Sequence, residues 1–504
     1  MSKARNLATL LTTDGSVKTT KYADSVGGQS TFVASGTLPN GVPVILKTDG
    51  TIEVVAGTSA VTENIPKAVG TTFKSALVSN LAIAFNPNVA GNFVIAYDSK
   101  LLAGTVSGST LSFGSEVSTG LTNTTYISIS FDPNTANKFI VVGKMQYGSV
   151  ILGTVSGTTV TVNTTANFQQ SAVSWVTAKF DPNNANKFVL MYRDDTNSNK
   201  GTAIVGTISG TTITFGSKNG LSFNNTFNHV IAFDPSNANT FVLNYSVGSH
   251  PSWTAGAIVG TISGTTVTYG AAATYNSSKF ANYADIAFDP NSAGKFIVVG
   301  AAGNNSNYGT AVVGIVTGTS IAFGSPVVYH SGAAYYNSVR FNPHKANQLV
   351  VAYTFNGGQQ YAYVSVGTVS GNAVTFAAQI VINAGAGSAL TSISFDPNNA
   401  NNFGVVYRNG DNSNYSEMVV GVVGSPAGTN ITSSNFIGIP DAAYADGETA
   451  TVKLQGSLAT NLSGLTASET YYVQNDGTLD STADSPSVEA GKALSSTSIL
   501  LKGI

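Results

Sequence analysis

Four arginines and a set of tyrosines are the side chains of this chain that come nearest to a hydrolytic site. A sialidase-like mechanism needs three arginines around a substrate carboxylate and a tyrosine nucleophile assisted by an acid. The arginines are Arg5, Arg193, Arg340 and Arg408. Arg5 lies outside the repeated part of the chain, and the SxDxGxTW boxes typical of sialidases are absent from the sequence. We therefore predict that the chain is not an enzyme.

Acids and histidines are no better placed for catalysis or for metal binding. A two-carboxylate glycosidase needs paired acids in one cleft, whereas most acids of the repeats stand in a recurrent turn. The loops 194–199 (DDTNSN) and 409–414 (NGDNSN) offer oxygens to calcium, but their composition is typical of solvated turns. The histidines, which show no ligand spacing, are His229, His250, His330 and His344. We expect no metal and no cofactor.

Variable loops that carry rings, amides and hydroxyls are the better candidates for a function. Aromatic rings beside amides suit sugars, which offer both CH faces and hydroxyl groups. A tyrosine that recurs six residues before a repeated glycine (147, 308, 361 and 415) is assigned to packing between strands instead. For the remaining residues, a buried aromatic or a loop contact is the alternative role. The predicted glycan- or receptor-binding residues are Trp175, Arg193, His250, Trp253, Tyr335, Tyr336 and Arg408.

The elements that would position these residues follow from a nine-residue phrase of the type FDPNNANKF, which occurs seven times. Its copies begin at the residues that we call the leading Phe: Phe85, Phe131, Phe180, Phe233, Phe288, Phe341 and Phe395. Successive copies start 46, 49, 53, 55, 53 and 54 residues apart. A period of this length, in strand-like sequence, predicts one propeller blade per repeat. The predicted fold is all-β, a seven-bladed β-propeller.

Each repeat contains four strand-like segments, which in the fifth copy are 284–288, 295–299, 310–314 and 320–324. Asp-Pro-Asn ends the first segment as a turn, and a Gly-containing hairpin joins the third to the fourth. These short, uniform turns lie on one face of the predicted propeller. The longer, variable loops lie on the other face and contain the candidate binding residues. The last repeat is incomplete after residue 423, so closure must use another segment, either 59–62 or 430–433.

The flanks predict smaller pieces outside the ring. Apolar residues at helical spacing predict a short helix over 2–11, and Asp49-Gly50 predicts a hairpin over 41–55. The predicted divisions are an N-terminal anchor at 1–30, a β-hairpin module at 31–66, the propeller at 67–430 and a small β-domain at 431–504. Since a closed ring brings its ends together, the hairpin and the C-terminal module are expected to meet in a second β-domain.

Composition narrows the choice of partners and compartments. Only 10% of the residues are charged and the net charge is −2, so no basic stripe is available to follow nucleic-acid phosphates. The chain has no cysteine, which excludes disulfides and thiolate metal sites. The N-terminus lacks the apolar core of a signal peptide, and no apolar run is long enough to span a bilayer. If the protein acts outside a cell, we expect that it does not leave by ordinary secretion, and lysis would be one route.

Four flanking segments resemble virion structural and tail-fibre proteins of tailed phages, especially marine ones. They are SKARNLATLL (2–11), LPNGVPVILKTDGTIEVV (38–55), ETYYVQNDGTL (469–479) and EAGKALSSTSILLKG (489–503). The repeated GTVSG phrasing resembles propeller regions of such proteins. The resemblance implies a structural part of the particle, such as a tail fibre, a receptor-binding appendage or a capsid decoration. It implies no catalytic residue.

Together these observations predict a non-enzymatic structural protein of a phage virion, made in the host cytoplasm. The N-terminal anchor and the C-terminal module would attach it to other virion proteins as a homo-oligomer, and the propeller would face host surface polysaccharide. Neither nucleic acid nor membrane insertion is expected. Three alternatives stay open at this point: a capsid decoration protein, a carbohydrate-active propeller enzyme and a cellular lectin. The absence of a signal peptide counts against the lectin, unless its export is unconventional.

Overall fold

The structure is a computed structural model. It describes residues 28–58, 65, 70–121, 124–144, 147–249, 252–276, 280–303, 305–357, 359–384, 387–399, 401–424, 428–432, 434–483 and 488–502. In these ranges the chain forms strands and turns and no helix. The described residues therefore contain no helix long and apolar enough to cross a membrane. The helix predicted at 2–11 lies outside them.

The chain divides into two compact units. Glu63–Val423 form what we call the repeat unit, and the flanking unit consists of Met1–Thr62 together with Gly424–Ile504. The hairpin at 41–55 and the C-terminal module, which the sequence analysis gave as separate modules expected to meet, therefore belong to one unit. Before the repeat unit the chain forms β1 (Gln29–Val33), β2 (Val44–Leu46), β3 (Ile52–Val54) and β4 (Gly57–Thr58).

Strands follow one another through the repeat unit in seven groups, one for each copy of the phrase. The first strand of the unit is β5 (Thr71–Lys74). The first two copies contain β6 (Leu81–Phe85), β7 (Asn92–Tyr97), β8 (Lys100–Ser107), β9 (Thr110–Phe113), β10 (Val117–Ser118), β11 (Thr125–Phe131), β12 (Lys138–Lys144), β13 (Gly148–Ser156) and β14 (Thr159–Gln169). The third copy contains β15 (Val173–Phe180), β16 (Lys187–Asp194), β17 (Lys200–Ser209), β18 (Thr212–Phe215) and β19 (Asn219–Gly220).

The remaining copies repeat this order. The fourth and fifth contain β20 (Thr226–Phe233), β21 (Thr240–Ser249), β22 (Ser252–Ser263), β23 (Thr266–Tyr269), β24 (Ala273–Asn276), β25 (Phe280–Phe288), β26 (Lys295–Ala302), β27 (Tyr308–Thr317) and β28 (Ser320–Phe323). The sixth and seventh contain β29 (Val327–Phe341), β30 (Gln348–Gly357), β31 (Gln359–Ser370), β32 (Ala373–Phe376), β33 (Ile380–Asn383), β34 (Ala389–Phe395), β35 (Asn402–Asn409) and β36 (Tyr415–Val422).

The first strands of the seven copies, which we call the inner strands, contact one another in sequence around a ring. They are β6, β11, β15, β20, β25, β29 and β34, and β34 returns to β6. The second and third strands of each copy add outward in antiparallel pairs. This arrangement is a β-propeller, as predicted. Because β27 also pairs with β29, the fifth and sixth copies share one nine-stranded sheet, and the number of separate blades stays a prediction.

A repeated glycine on the third strand leaves room for a repeated phenylalanine on the second. Gly206 lies opposite Phe188 in the ladder of the third copy. A Cβ atom at Gly206 would stand 2.1 Å from the Phe188 ring, which is fully buried. The same relation joins Gly153 to Phe139 at 2.3 Å. The recurrence of both residues therefore has one cause, because the ring fills the volume that any side chain at the glycine would need.

The FDPN turns tie each copy to the next. The Asp132 carboxylate accepts from Asn134 N within its own turn and, at 2.8 Å, from Asn186 N in the following copy. Asp396 in the last copy accepts from Gly91 N of the first copy at 2.7 Å, which closes the ring at this end. The recurrent position of Asn186 and Gly91 has a left-handed φ, of 63° and 70°. Asn and Gly tolerate that conformation best, which explains why every copy has one of them there, as in NANK (184–187) and SAGK (292–295).

Ring closure at the outer edge uses a segment that the sequence analysis did not name. The outer strand of the last sheet is β5, which pairs with β36. Of the two predicted segments, 430–433 does not form this strand and 59–62 lies outside the described residues. Strand β5 has no repeat phrase of its own, because it is an isolated fourth strand placed before the first copy.

The flanking unit contains two five-stranded sheets. Its C-terminal strands are β37 (Gly428–Thr429), β38 (Phe436–Pro440), β39 (Thr449–Leu454), β40 (Leu458–Ala459), β41 (Thr470–Val473), β42 (Leu479–Asp480), β43 (Val488–Ser495) and β44 (Ser498–Leu501). One sheet has the order β1-β39-β38-β2-β3 and the other β40-β44-β43-β41-β42. Ile45 and Val55 of the hairpin share a buried cluster with Val473 and Ile499. The predicted hairpin therefore folds together with the C-terminal strands.

Candidate functional site

Six inner strands contain the same β-bulge, five residues before the leading Phe. At each one the pairing of the first and second strands shifts register, and the bulged residue has a φ between 52° and 60°. The bulged residues, which we call the bulge ring, are Tyr126, Trp175, Asn228, Tyr283, Tyr336 and Leu390. A bulky residue in this conformation costs on the order of 1–3 kcal/mol, and such strain collects at functional sites. Bulges also redirect side chains.

Neighbouring copies hold the bulges in place. The Asn337 side chain donates a hydrogen bond to the carbonyl of Tyr283 at 3.2 Å, and the Thr391 hydroxyl donates to the carbonyl of Tyr336. Asn337 and Thr391 stand at the same position of successive inner strands, four residues before the leading Phe. The residue beside each of these bulges therefore fixes the bulge of the preceding copy, and the strained conformation is determined by the ring as a whole.

Aromatic side chains meet around this end of the inner strands. Tyr126 and Trp175 have ring centroids 5.0 Å apart, and Trp175 lies 6.4 Å from Phe227. Phe227 in turn meets Trp253 edge to face at 5.5 Å. On later copies Tyr283 lies 5.0 Å from Tyr335 and 4.9 Å from Tyr336. Rings from five successive copies thus line one opening of the ring, which we call the mouth.

A cavity of about 330 Å³ lies within the mouth. Its lining residues come from the third to the sixth copies and are Trp175, Asn228, Tyr283, Asn307 and Tyr335. Tyr283 is 42% exposed, so a large part of its ring is available to a ligand. Burial, with the neighbouring phenols of Tyr336 and Tyr335, raises the pKa of Tyr283. Its hydroxyl therefore stays protonated at neutral pH and can donate a hydrogen bond.

Of the seven predicted binding residues, four lie at the mouth, two do not line its cavity and one is not described. Trp175 and Tyr335 line the cavity, and Trp253 and Tyr336 contact mouth rings. Arg193 forms an ion pair of 2.6 Å with Asp195, which also accepts from Ser174 Oγ. Arg408 stands at the equivalent position of the seventh copy and donates to the carbonyl of Val78. Neither arginine lines the cavity, and His250 lies outside the described residues.

Several mouth residues were missed by the sequence analysis: Tyr126, Phe227, Asn228, Tyr283 and Asn307. A signal for them exists, because four of the seven residues five positions before the leading Phe are Tyr or Trp. Recurrence of an aromatic was interpreted as packing. Tyr147, which that interpretation assigned to packing, is 37% exposed. Recurrence alone therefore does not separate an interior ring from one presented to solvent.

The two loops considered for calcium use their polar groups internally. Asp194 accepts from Thr196 N and Thr196 Oγ1, which forms a turn within the loop 194–199. In the loop 409–414, Asn409 and Asn412 donate to the buried Glu417 carboxylate. Across the ranges that the structure describes, no three His, Cys, Asp or Glu residues are grouped as metal ligands would be.

The fold places the repeat unit among β-propellers. The WD40 domain of Sif2 is 10% identical with a TM-score of 0.42, and the alignment covers 71% of this chain and 99% of that domain. Sqt1 from Saccharomyces cerevisiae is 11% identical with a TM-score of 0.44, covering 73% and 100%. The BP39L lectin from Burkholderia pseudomallei is 13% identical with a TM-score of 0.49, covering 72% and 98%. No family model and no curated protein sequence matches the chain.

Proposed function

We propose that this chain is a non-enzymatic carbohydrate-binding protein whose mouth binds a glycan. The observation that supports the proposal is the bulge ring, which places aromatic rings and amides around a cavity of about 330 Å³. Strained backbone at six copies is difficult to explain by packing alone, because an unbulged strand would be less costly. Function on a propeller of this kind belongs where the copies differ.

The lining chemistry fits a sugar. Trp175 and Tyr283 offer ring faces on which the CH groups of a pyranose can stack, as aromatic side chains combine apolar area with a polar edge. Asn307 adds an amide, and the tyrosine hydroxyls add neutral donors and acceptors. The lining contains no charged side chain. A neutral oligosaccharide therefore suits the mouth better than an anionic one.

Binding to an array of bacterial surface glycans, followed by calorimetry with the strongest ligand, tests the proposal. The variant Trp175→Ala removes one ring of the cavity, and we expect about a thirtyfold loss of affinity, the effect of a contact of ~2 kcal/mol. Tyr147→Ala is the matched control, because this tyrosine is exposed but does not line the cavity. Equal affinity in both variants, or no glycan bound by the parent protein, would contradict the proposal.

We further propose that the protein is a structural part of a phage particle, on the tail or the head, and that it assembles as a homo-oligomer. The resemblance of the flanking segments supports this placement, and the flanking unit is the part that would attach to other virion proteins. Immunogold labelling of purified particles tests it. Gold at the tail supports a host-attachment role for the mouth, gold over the head supports capsid decoration, and unlabelled particles refute both.

A further inference from the structure

A second cavity lies near the other end of the inner strands. It measures about 230 Å³ and is lined by residues beside the FDP turns, among them Ser130, Lys179, Arg340 and Ser394. Lys179 and Arg340 each stand one residue before a leading Phe, whereas the bulge ring stands five residues before it. Four residues of strand separate the two levels by about 13 Å. The lower cavity is therefore distinct from the mouth.

Two cations share this cavity with one carboxylate. Arg340 forms an ion pair of 2.7 Å with Asp285, whose carboxylate also accepts from Val339 N and Ser338 Oγ. Lys179 lies on the third copy, near enough for an electrostatic interaction with both Arg340 and Asp285 but without a hydrogen bond to either. The structure shows no hydrogen bond and no ion pair for Lys179 among the described residues, although its surface is only partly exposed. Asp285 acts on the Lys179 charge only through space and is already paired with Arg340, so two cations lie near one carboxylate at the lower cavity.

We propose that the lower cavity binds a small inorganic oxyanion, such as sulfate or phosphate, between Lys179 and Arg340. The ammonium group would supply the charge, and the Arg340 guanidinium would supply further donors. The Ser130 and Ser394 hydroxyls donate to the carbonyls of Phe131 and Phe395, at 3.4 and 3.3 Å, and would have to turn from these long bonds to reach the ion. A cavity of about 230 Å³ has room for such an ion, since a water molecule takes about 30 Å³ of liquid volume. The ion would link the third and sixth copies across the axis and so stabilise the ring.

The pH dependence of binding follows from the groups around Lys179. Burial, with the Arg340 guanidinium, lowers the pKa of Lys179 to about 8, and Asp285 opposes the shift. The other inner strands contribute no titratable group at the level of Lys179, where they carry Ala84, Ser130, Ala232, Ala287 and Ser394. Anion binding should therefore weaken as the pH rises through about 8, because Lys179 loses its proton and its charge.

Thermal unfolding of the full chain in a sulfate titration, at constant ionic strength set with sodium chloride, measures this binding. Sulfate keeps its charge across the range, so any pH effect belongs to the protein. We expect a saturable rise in Tm at pH 7 that shrinks above pH 8. Lys179→Met should weaken sulfate binding by about tenfold or more, as expected for one charge-assisted hydrogen bond.

Two further variants separate a site from a general effect of charge. Lys179→Arg keeps the charge at all accessible pH values, so sulfate binding should persist above pH 9. Lys100→Gln removes a charge at the turn between β7 and β8, and sulfate binding should be unchanged. A parent protein whose Tm does not saturate with sulfate would overturn the proposal, as would a Lys179→Arg variant that loses binding at the same pH as the parent.

Discussion

Removing one hydroxyl from the closure of the ring should destabilise the repeat unit far more than removing its equivalent elsewhere. Tyr407 is fully buried on β35, and its hydroxyl donates to Glu417 Oε2 at 2.9 Å. The Tyr407 hydroxyl oxygen itself accepts from Gly70 N at 2.9 Å, next to the closing strand β5. Burial and the Glu417 carboxylate raise the pKa of Tyr407, so the hydroxyl keeps its proton and remains a donor. Tyr407→Phe removes both hydrogen bonds at once.

The magnitude follows from these two contacts. Loss of a hydrogen bond to a charged group costs ~1.5–3 kcal/mol, and an unsatisfied, part-buried N–H at Gly70 adds to it. Glu417 retains Asn409 and Asn412 as donors, at 3.0 and 2.9 Å, which limits the loss. We therefore expect Tyr407→Phe to lower the free energy of unfolding by about 2–4 kcal/mol. Hydrogen exchange of 71–74 should accelerate correspondingly, since β5 is then held less firmly.

Tyr192→Phe is a closely matched control. Tyr192 stands at the same position of the third copy and is fully buried, but its hydroxyl has no hydrogen-bond partner among the residues that the structure describes. Removing that hydroxyl should leave the stability unchanged or raise it slightly, because no bond is lost and a buried polar group disappears. Chemical denaturation of both variants decides the matter. Equal losses in the two, or a neutral Tyr407→Phe, would refute the account of closure.

Three other perturbations have expected outcomes. Gly206→Ala should cost about 1–3 kcal/mol in an unfolding titration, because its Cβ would stand 2.1 Å from the rigid Phe188 ring. Gly367→Ala should cost less, because its nearest neighbour is a Leu349 methyl at 2.7 Å, which can move, and the nearest ring, Phe376, stands farther away at 2.9 Å. The reverse order would contradict the explanation. Burial and the Arg193 guanidinium lower the pKa of His229 to about 3. The imidazole therefore binds a proton more tightly in the unfolded chain than in the folded one. The free energy of unfolding should fall by about 1.4 kcal/mol for each pH unit below pH 6.5. His229→Leu should flatten that acid profile, and an unchanged slope would exclude His229 as its source.

The repeated scaffold could be predicted from the sequence because each recurrent residue answers a local requirement. Asp132 caps its turn, the Asn at the position of Asn186 accepts a left-handed φ, and Gly206 leaves space for Phe188. Such requirements act within one copy or between neighbouring copies, so the same residue type recurs at the same position of each copy. Closure by β5 could not be predicted from a recurrent residue, because a four-residue strand is specified by its long-range partners rather than by its own pattern.

The mouth was predicted only in part for a related reason. A left-handed backbone conformation is usually predicted from Gly or Asn, as at the FDPN turns. In the bulge ring, Tyr126, Trp175 and Tyr336 adopt that conformation instead. Local propensity argues against a bulge at these residues. The surrounding ring imposes it, through contacts such as Asn337 to the Tyr283 carbonyl. The sequence of a single strand therefore indicates the aromatic residues but not the geometry that brings them together.

The two ends of the inner strands join neighbouring copies through different groups. At the FDPN end, a carboxylate such as Asp132 or Asp396 bonds the next copy, so substitution there disturbs two copies at once. At the mouth, Asn337 and Thr391 bond backbone carbonyls of the preceding copy, which places few demands on the side chains that face the opening. Those side chains are free to vary while the backbone stays fixed, and a varied set of rings on a fixed frame is what selective binding requires. By the same reasoning, the proposed anion site lies at the FDPN end, whose geometry repeats from copy to copy, and a ligand there would stabilise the ring rather than discriminate among partners.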